Sequence, residues 1–588
     1  MSASGPEAQA LALFRAGRLD ESERAWRSIL ERTPEDPQAL HMLGYILVRR
    51  GQREAGLALL DRSIERAPRA AAFLNNRAQV LAEDGRIDEA IRDLRRAVQA
   101  EPRFAAGFTH LGILLQREAR REEALAAFRR AIALEPRNAL ALYNLGLLLL
   151  IARDLAGAQA AFERVLEVEP AHAMALNNLG VVLRESGRTD AAHGCFERAV
   201  RADASNLEAL NNLAIAQRQR GDPAAARASY ARAIQLGAAS PAVFLDAASV
   251  ALDAGHVDES QGLYERALGA RAGWADAEYG LGQVALRRHD FATGWRGYER
   301  RFETRPPQAI ARDFSTPRLR EGEMRPSLRL AVWSEQGVGD QVLFSTVLPE
   351  LVVRGVHAIV EVDERLVEMY RRSLPALRFV SRAQSAEAFA ACERQLPIGS
   401  LAAMLRPDAA SFARQPHALL QPDGARVEAL RERLGEGRWI AVSWRSLQRG
   451  EREGLAQRKS FPLQALAALA RAGVRLLDVQ YGDVEAERAA FERAHPGLLT
   501  HFDDLDAYAD LEGVAAAMAA CEGVVSVSNV TAHIAGAIGR KTWLLHPESH
   551  APFSYWVPAS NGHALWYPSV RIVANDMDSV VRELTTLD

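Results

Sequence analysis

Residues 334–345 read "SEQGVGDQVLFS". An apolar run, "LRLAVW" (328–333), precedes them, and the apolar-periodic "QVLFSTVLPELVV" (341–353) follows. This is the pattern of a strand, a tight glycine turn and a helix. Gly337 and Gly339 let backbone N–H groups approach a ligand closely, and the helix start favours an anion. A lone carboxylate, Asp340, stands where the helix begins. It either caps that helix or works at a site beyond the strand. Gln336, Gly337 and Gly339 are the candidate ligand-binding residues of the turn, and Asp340 the candidate catalytic one.

From this turn to the C-terminus, short apolar runs alternate with amphipathic helices. The runs are "LRLAVW", "HAIVEV" (357–362) and "LRFV" (377–380), then "RWIAVSW" (438–444), "VRLLDVQ" (474–480), "GVVSVS" (523–528) and "KTWLLH" (541–546). Continuous apolar runs between helices predict parallel strands buried on both faces. Two sets, parted near 415–435, predict two Rossmann-like halves, 327–415 and 416–588. Ligands in such sheets lie beyond the carboxyl ends of the strands. Upstream, "PPQAIARDFSTPRLREGEMRPS" is proline-bearing, charged and aperiodic, and predicts a linker at 306–326.

The first 305 residues are an internal repeat. A small residue recurs at Gly44, Ala78, Gly112, Gly146, Gly180, Ala214, Ala248 and Gly282, each 34 residues from the last. At the same step run Gly17, Gly51, Gly85, Gly187, Gly221 and Gly255, and the large residues Trp26, Leu60, Leu94, Phe128, Phe162, Phe196, Tyr230, Tyr264 and Tyr298. Pro34, Pro68, Pro102, Pro136 and Pro170 form a fourth series. The physical reading is a helix pair per repeat. The first small residue lets helix A pack on helix B, the second glycine closes their turn, the large residue fills the gap to the next repeat, and proline stops helix B. The pattern resembles tetratricopeptide repeats, and it implies an all-α superhelix with a concave groove.

Two positions before the small residue lie Asn76, His110, Asn144, Asn178 and Asn212. An asparagine amide has both a donor and an acceptor. It can bond between neighbouring repeats, or pair with the backbone of an extended polypeptide. The second use is the one implied by resemblance to O-GlcNAc transferases, whose superhelix carries an asparagine ladder in the same "N-L-G" context. These five are the candidate acceptor-binding residues.

Composition narrows the partners. Net charge is −3, from 72 Lys+Arg against 75 Asp+Glu, with no basic tail. A nucleic-acid polymer and a charged membrane surface are therefore not expected. Cys195, Cys392 and Cys521 lie far apart and form neither a disulfide framework nor a zinc spacing. No signal peptide opens the sequence, and its longest apolar stretch is too short to span a bilayer, so a cytoplasmic location is expected. Only Lys459 and Lys541 are lysines.

Two further stretches carry chemistry. "RKSFPLQALAAL" puts Lys459 and Ser460 before a helix start, where a compact ammonium suits phosphate. The alternative is an ordinary solvated lysine. "SVSNVTAHIAGAIG" (526–539) ends a strand in a polar loop, with Ser528, Asn529, Thr531 and His533 at the next helix start. A phosphate or ribose fits there; so does plain capping with a buried histidine. The acidic "FDDLDAYAD" (502–510) precedes a helix and reads as a cap, so no metal is expected.

Together, "GWRGYERRF", "WSEQGVGDQVLFSTVLPEL", "RKSFPL", "HIAGAIGRKTWLLHP" and "WYPSVRI" resemble the heptosyltransferase-like branch of the GT-B glycosyltransferases fused to tetratricopeptide repeats. The resemblance covers essentially the whole chain. It implies an α/β GT-B fold after the superhelix, a nucleotide-sugar donor in the cleft between the halves, no metal, and inversion at the anomeric carbon. It makes Asp340 the base and Lys459 the holder of donor phosphate. Phe461 stands where that branch has tryptophan, and Ser528–Asn529 where it has Asp-Thr, which leaves the nucleotide open. Bacterial flagellin glycosyltransferases share this layout. They imply a CMP-linked nonulosonate and a Ser/Thr acceptor on flagellin. The alternatives are a UDP- or ADP-sugar donor, or a catalytically degenerate repeat scaffold that binds protein partners.

Overall fold

The computed structural model describes residues 5–446, 460–546, 553–574 and 576–586. The chain divides into two compact units, Met1–Ala216 and Gln217–Asp588. The division falls inside a helix, Leu207–Gln219, and not at the linker expected from sequence.

The first unit is a row of helix pairs, beginning with α1 (Pro6–Arg15) and α2 (Leu19–Arg32). The repeat series have the roles that close packing requires. A Cβ added to Gly112 would lie 2.6 Å from the ring of Phe128. At Gly146 it would lie 2.7 Å from Phe162, and at Gly180 2.5 Å from Phe196. In these repeats the ring therefore presses on the glycine of its own helix pair, within a buried cluster that runs through several repeats. Tyr264, in the second unit, follows the expected pattern: its ring lies against Gly280 of the following repeat.

The turn series shows what the backbone demands. Gly17, Gly51, Gly85, Gly187, Gly221 and Gly255 all have φ between 74° and 88°. The sequence lacks glycine at three turns in this register, yet Ala119, Arg153 and His289 keep left-handed φ values of 56°, 63° and 59°. The geometry of the pair is thus imposed by packing, and these three side chains bear a strain of roughly 1 kcal/mol each. Where the proline series runs, the B helix ends two residues before it: Leu134 ends one and Pro136 follows, Val168 ends another and Pro170 follows. Periodicity did not suggest a further link, an arginine 28 residues after the proline. Arg130 donates to the carbonyl of Pro102 at 3.3 Å, Arg164 to Pro136 at 3.0 Å, and Arg198 to Pro170 at 3.4 Å.

The second unit holds the remaining repeats and two parallel sheets. The last pair is α17 (Ala275–Arg287) and α18 (Phe291–Tyr298). The first sheet has β1 (Arg329–Trp333), β2 (His357–Glu361), β3 (Arg378–Val380) and β4 (Arg394–Pro397), in the order β3-β2-β1-β4. The second has β5 (Arg438–Ser443), β6 (Val474–Asp478), β7 (Leu499–Thr500), β8 (Gly523–Ser526), β9 (Thr542–His546) and β10 (Val570–Ala574). Its order is β10-β9-β8-β5-β6-β7, all parallel. That is the doubly wound order, with its reversal between β5 and β8, where a crevice opens for ligands.

Each of the seven apolar runs forms a strand. β4, β7 and β10 were not expected. "RQLP" opens polar and ends in proline, and β7 has two residues, so neither shows a buried run. Residues 306–326 contain no helix or strand, only a bridge from Arg318 to Gln395. The core nonetheless continues across them. Phe291, Trp295 and Tyr298 share one buried cluster with Leu328, Leu330 and Val342. Trp295 Nε1 also donates to the carbonyl of Arg406 at 2.6 Å.

Candidate functional site

The site lies in the second unit. Helix α19 (Val338–Ser345) follows β1, and Gly337, not Asp340, occupies its N-cap position. Asp340 therefore stands in the first turn, half-buried. It lines a cavity of about 480 Å³ together with Gly337, Gly339, Ser528, Asn529 and His533. The structure thus brings the glycine turn after β1 to the polar loop after β8, two stretches far apart in sequence.

The contact between them is tight. A Cβ on Gly339 would lie 2.9 Å from Cδ2 of His533, so glycine is what allows the imidazole to rest on the turn. Gly337 has no such neighbour; its added Cβ would meet only Asp340 Oδ2, at 3.6 Å. Gln336 accepts a hydrogen bond from the hydroxyl of Tyr298.

His533 sits in the helix Val530–Ala537 and is 4% exposed. Its Nδ1 and the Tyr567 hydroxyl are 3.2 Å apart. The rings of Trp556 and Tyr555 stand 4.8 and 5.4 Å away. Burial among these rings holds the imidazole down at about 3. It is therefore neutral, and it can offer a phosphate an N–H but no charge. The unfolded chain takes this proton near 6.5, well before the folded chain does, so the contribution to stability is whole above 6.5 and lost as pH falls toward 3. The slope is about 1.4 kcal/mol per pH unit. We expect urea unfolding between pH 6.5 and 4.5 to show a steeper loss for the native chain than for His533→Gln; parallel curves would contradict a buried neutral imidazole.

The other loop residues divide. Asn529 caps the helix through Oδ1, which accepts the Ala532 N–H at 3.1 Å. Its NH2 group donates to Ser443 Oγ (2.8 Å) and to the Arg445 carbonyl (3.0 Å), tying β8 to β5 across the sheet reversal. The capping alternative thus describes Asn529 well, although it also lines the cavity. Ser528 Oγ accepts from Trp556 Nε1 at 3.0 Å. Thr531 is 1% exposed and does not line the cavity. Ser460 lies one bond back, its Oγ accepting the Ser446 N–H at 3.4 Å, while Ser446 itself is on the wall. Lys459 lies outside the described residues.

Four wall or support residues were not singled out from sequence. Arg365 is the cation among the described wall residues; it donates to Asp363 at 2.7 Å and to the Tyr508 carbonyl at 2.6 Å. Tyr481 and Tyr508 supply aromatic wall. Gln480, buried beneath, accepts from Ser443 Oγ (3.0 Å) and from the N–H groups of Trp444 and Arg445 (both 2.8 Å). It shapes the loop after β5. The only sequence signal for Tyr481 and Gln480 was their position just past a strand.

Asp506 and Asp510 act as caps: Asp506 accepts from the N–H of Tyr508 at 2.9 Å, and Asp510 from Gly513 at 2.8 Å. Asp504 pairs with Arg433 at 2.8 Å.

In the first unit, four of the five ladder candidates bond to the preceding repeat. Asn76 Nδ2 lies 3.0 Å from His41 Nε2, and His110 Nδ1 lies 2.7 Å from Asn75 Oδ1. Asn178 donates to the Tyr143 hydroxyl at 3.1 Å and Asn212 to Asn177 at 2.9 Å. Asn144 donates to its own helix, to Leu140 O at 2.8 Å. The inter-repeat alternative is therefore realised. All five are half-buried, so they also keep a face toward solvent.

Comparison with known proteins bears on the repeats. Tetratricopeptide repeat profiles match residues 7–52, 41–103, 182–241 and 245–309, and others match 120–150 and 137–205. Protein FlbA of Caulobacter vibrioides is 30% identical over 356 residues, 57% of this chain and 58% of that protein. The chain thus matches less than two thirds of its curated relative. Among solved structures, YrrB, titled a TPR protein with an unusual peptide-binding site, is 24% identical over 32% of this chain and 96% of its own, with a TM-score of 0.29. PilF of Pseudomonas aeruginosa is 20% identical over 36% of this chain and 95% of its own, with a TM-score of 0.34. No helix among the described residues is long and apolar enough to cross a membrane. The N-terminal half of the chain is an array of tetratricopeptide repeats, an architecture suited to a protein partner, and parallel sheets follow it.

Proposed function

We propose that the chain is an inverting protein O-glycosyltransferase of GT-B type, with its donor in the cavity walled by Asp340, Arg365, Ser528 and His533. The observation that carries this reading is that the turn bearing Asp340 and the loop after β8 converge on one cavity, beside the reversal of a doubly wound sheet. Phosphate-bearing ligands bind at such reversals. Direct displacement needs a base near the acceptor and a group that stabilises the departing phosphate. Asp340 takes the proton of a serine or threonine hydroxyl while its oxygen bonds to the anomeric carbon. The bond to the nucleotide phosphate breaks in the same step. Arg365 and Lys459 are the cations assigned to that phosphate, and Tyr481 or Tyr508 stacks on the base. The donor is a CMP-linked nonulosonate and the acceptor is flagellin, by resemblance.

The test is thermal stabilisation of the full chain by CMP, UDP, GDP and ADP. A nucleotide at 100 times its Kd adds about 2.7 kcal/mol to the state that binds it. CMP is expected to give the largest shift. No shift with any of the four overturns the reading. It would favour a scaffold that has lost its chemistry, for which one observation speaks: Ser528 and Asn529 spend their polar atoms on Trp556, Ser443 and Arg445.

A further inference from the structure

His533 has two ring nitrogens, and the fold gives them different surroundings. Nδ1 meets the Tyr567 hydroxyl at 3.2 Å. Tyr567 is 1% exposed and is not part of the cavity wall. The helix that carries the histidine also seats this tyrosine. Gly536 stands three residues after His533, on the same helix face, and a Cβ there would lie 2.5 Å from Cγ of Tyr567. The two rings are inclined by 65° with centroids 5.9 Å apart, so the hydroxyl and not the ring face reaches the imidazole. Nε2 has no hydrogen bond among the described residues. It lies on the ring edge that rests on the glycine turn, where a Cβ on Gly339 would be 2.9 Å from Cδ2 and 3.4 Å from Nε2. Gly339 and His533 both wall the cavity, so the Nε2 edge is the one turned to it.

We propose that Tyr567 is a positioning residue: its hydroxyl donates to Nδ1, keeps the imidazole proton on Nε2, and so fixes His533 as a neutral N–H donor to a phosphate oxygen of the nucleotide. The inference rests on the glycosyltransferase reading and adds to it which nitrogen serves the donor and what holds it there. The direction of the bond follows from counting protons. A neutral imidazole has one N–H and one bare nitrogen. If Nδ1 carried the proton and donated it to Tyr567, the tyrosine O–H would need another acceptor. Among the described residues none takes it, and a buried hydroxyl left unpaired is costly. If Tyr567 donates, its proton is placed, Nδ1 accepts, and the imidazole N–H falls on the nitrogen turned to the cavity. Burial keeps both groups in the required state. It holds the imidazole neutral and pushes the Tyr567 hydroxyl up, so the tyrosine retains the proton it donates. The Trp556 ring, 4.8 Å away and inclined by 31°, packs beside the imidazole and opposes its turning over. A nitrogen that bears hydrogen can only donate, which suits a phosphate oxygen and not a ligand amine.

The experiment uses the full-length chain labelled with 15N-histidine. The His533 signals are identified by their loss in His533→Gln. Without nucleotide, the native protein is expected to show a hydrogen-bearing Nε2 and a bare Nδ1, and the Nδ1 signal is expected to move in Tyr567→Phe as its hydrogen bond is lost. A proton on Nδ1 overturns the proposal from the native chain alone, whether or not any variant folds. So does an Nδ1 signal that Tyr567→Phe leaves in place. CMP affinity, read by titration calorimetry, tests the consequence. In the otherwise native chain Tyr567→Phe is expected to weaken CMP about fivefold, the worth of one hydrogen bond. In the His533→Gln background it is expected to change nothing, because the glutamine amide brings its own N–H and needs no partner at Nδ1. An equal loss in both backgrounds assigns Tyr567 to packing, and no loss in the otherwise native chain denies it any part in binding; either overturns the positioning role and leaves the glycosyltransferase reading standing. A native chain that binds none of the four nucleotides overturns that reading, and the proposal falls with it even where the proton is on Nε2.

Discussion

Asp340→Asn is expected to lower transfer by about 10³-fold while nucleotide binding and thermal stability stay near native. General-base catalysis contributes about 10²–10⁴ to a rate, and asparagine cannot accept the proton. The amide fills the same volume on the cavity wall. Gly337, not Asp340, holds the N-cap position of α19, so the substitution removes no cap. The informative measurement is initial rate at saturating donor, with the nucleotide-induced thermal shift recorded on the same preparation. A variant within tenfold of native removes Asp340 from the base role. A variant that loses both rate and nucleotide shift makes it a donor-binding group instead.

Arg301→Ala is expected to destabilise the second unit by roughly 3–5 kcal/mol, the cost of stranding a buried charge. Arg301 has no exposed surface and Glu335 is 1% exposed. The guanidinium donates to Glu335 Oε1 at 3.0 Å and to Ser400 Oγ at 2.8 Å. Glu335 Oε1 also accepts the Gly399 N–H at 3.1 Å, and a Cβ at Gly399 would lie 2.6 Å from that oxygen. This pair thus joins the last repeat to the ends of β1 and β4, next to the turn that carries Asp340. Burial pushes Glu335 up despite the arginine beside it, and without Arg301 the carboxyl keeps backbone N–H bonds but loses the cation that pairs with it. Calorimetric melting of Arg301→Ala against the double variant Arg301→Met with Glu335→Gln separates the explanations. The double variant should recover much of the loss, since it buries no lone charge; equal damage in both would assign the effect to packing. For the same reason a chain begun at residue 306 is expected to aggregate. It lacks Phe291, Trp295, Tyr298 and Arg301, which one begun at 217 retains.

That last expectation marks where periodicity misleads. The 34-residue step runs on through Tyr298, so the sequence reads as repeats up to 305 and then a linker. A repeat register records how each helix pair packs on its neighbours. It is silent about what else the final pair buries, and here Trp295 and Tyr298 are buried among residues of the first sheet. The ladder residues tell a similar story. Asn76, Asn178 and Asn212 stand at one repeat position by sequence, but which group takes the amide's bond between repeats depends on what lies one repeat back. His41, Tyr143 and Asn177 take those bonds.

What the sequence determined by itself is what short-range physics controls. Helix pairs follow from the spacing of small and large residues, their ends from proline, the seven strands with long apolar runs from continuous hydrophobicity, and the strand–turn–helix at Asp340 from two glycines after a buried run. The tertiary structure alone decided which of these stretches meet. Gly339 lies under His533 because the helix after β1 packs on the helix after β8, and that packing between elements of two sheets, not sequence distance, sets the contact. It also decided that His533 is neutral, through Trp556, Tyr555 and Tyr567 packed around it from further along the chain. Solvation and partner choice are properties of the assembled core, and no local pattern encodes them.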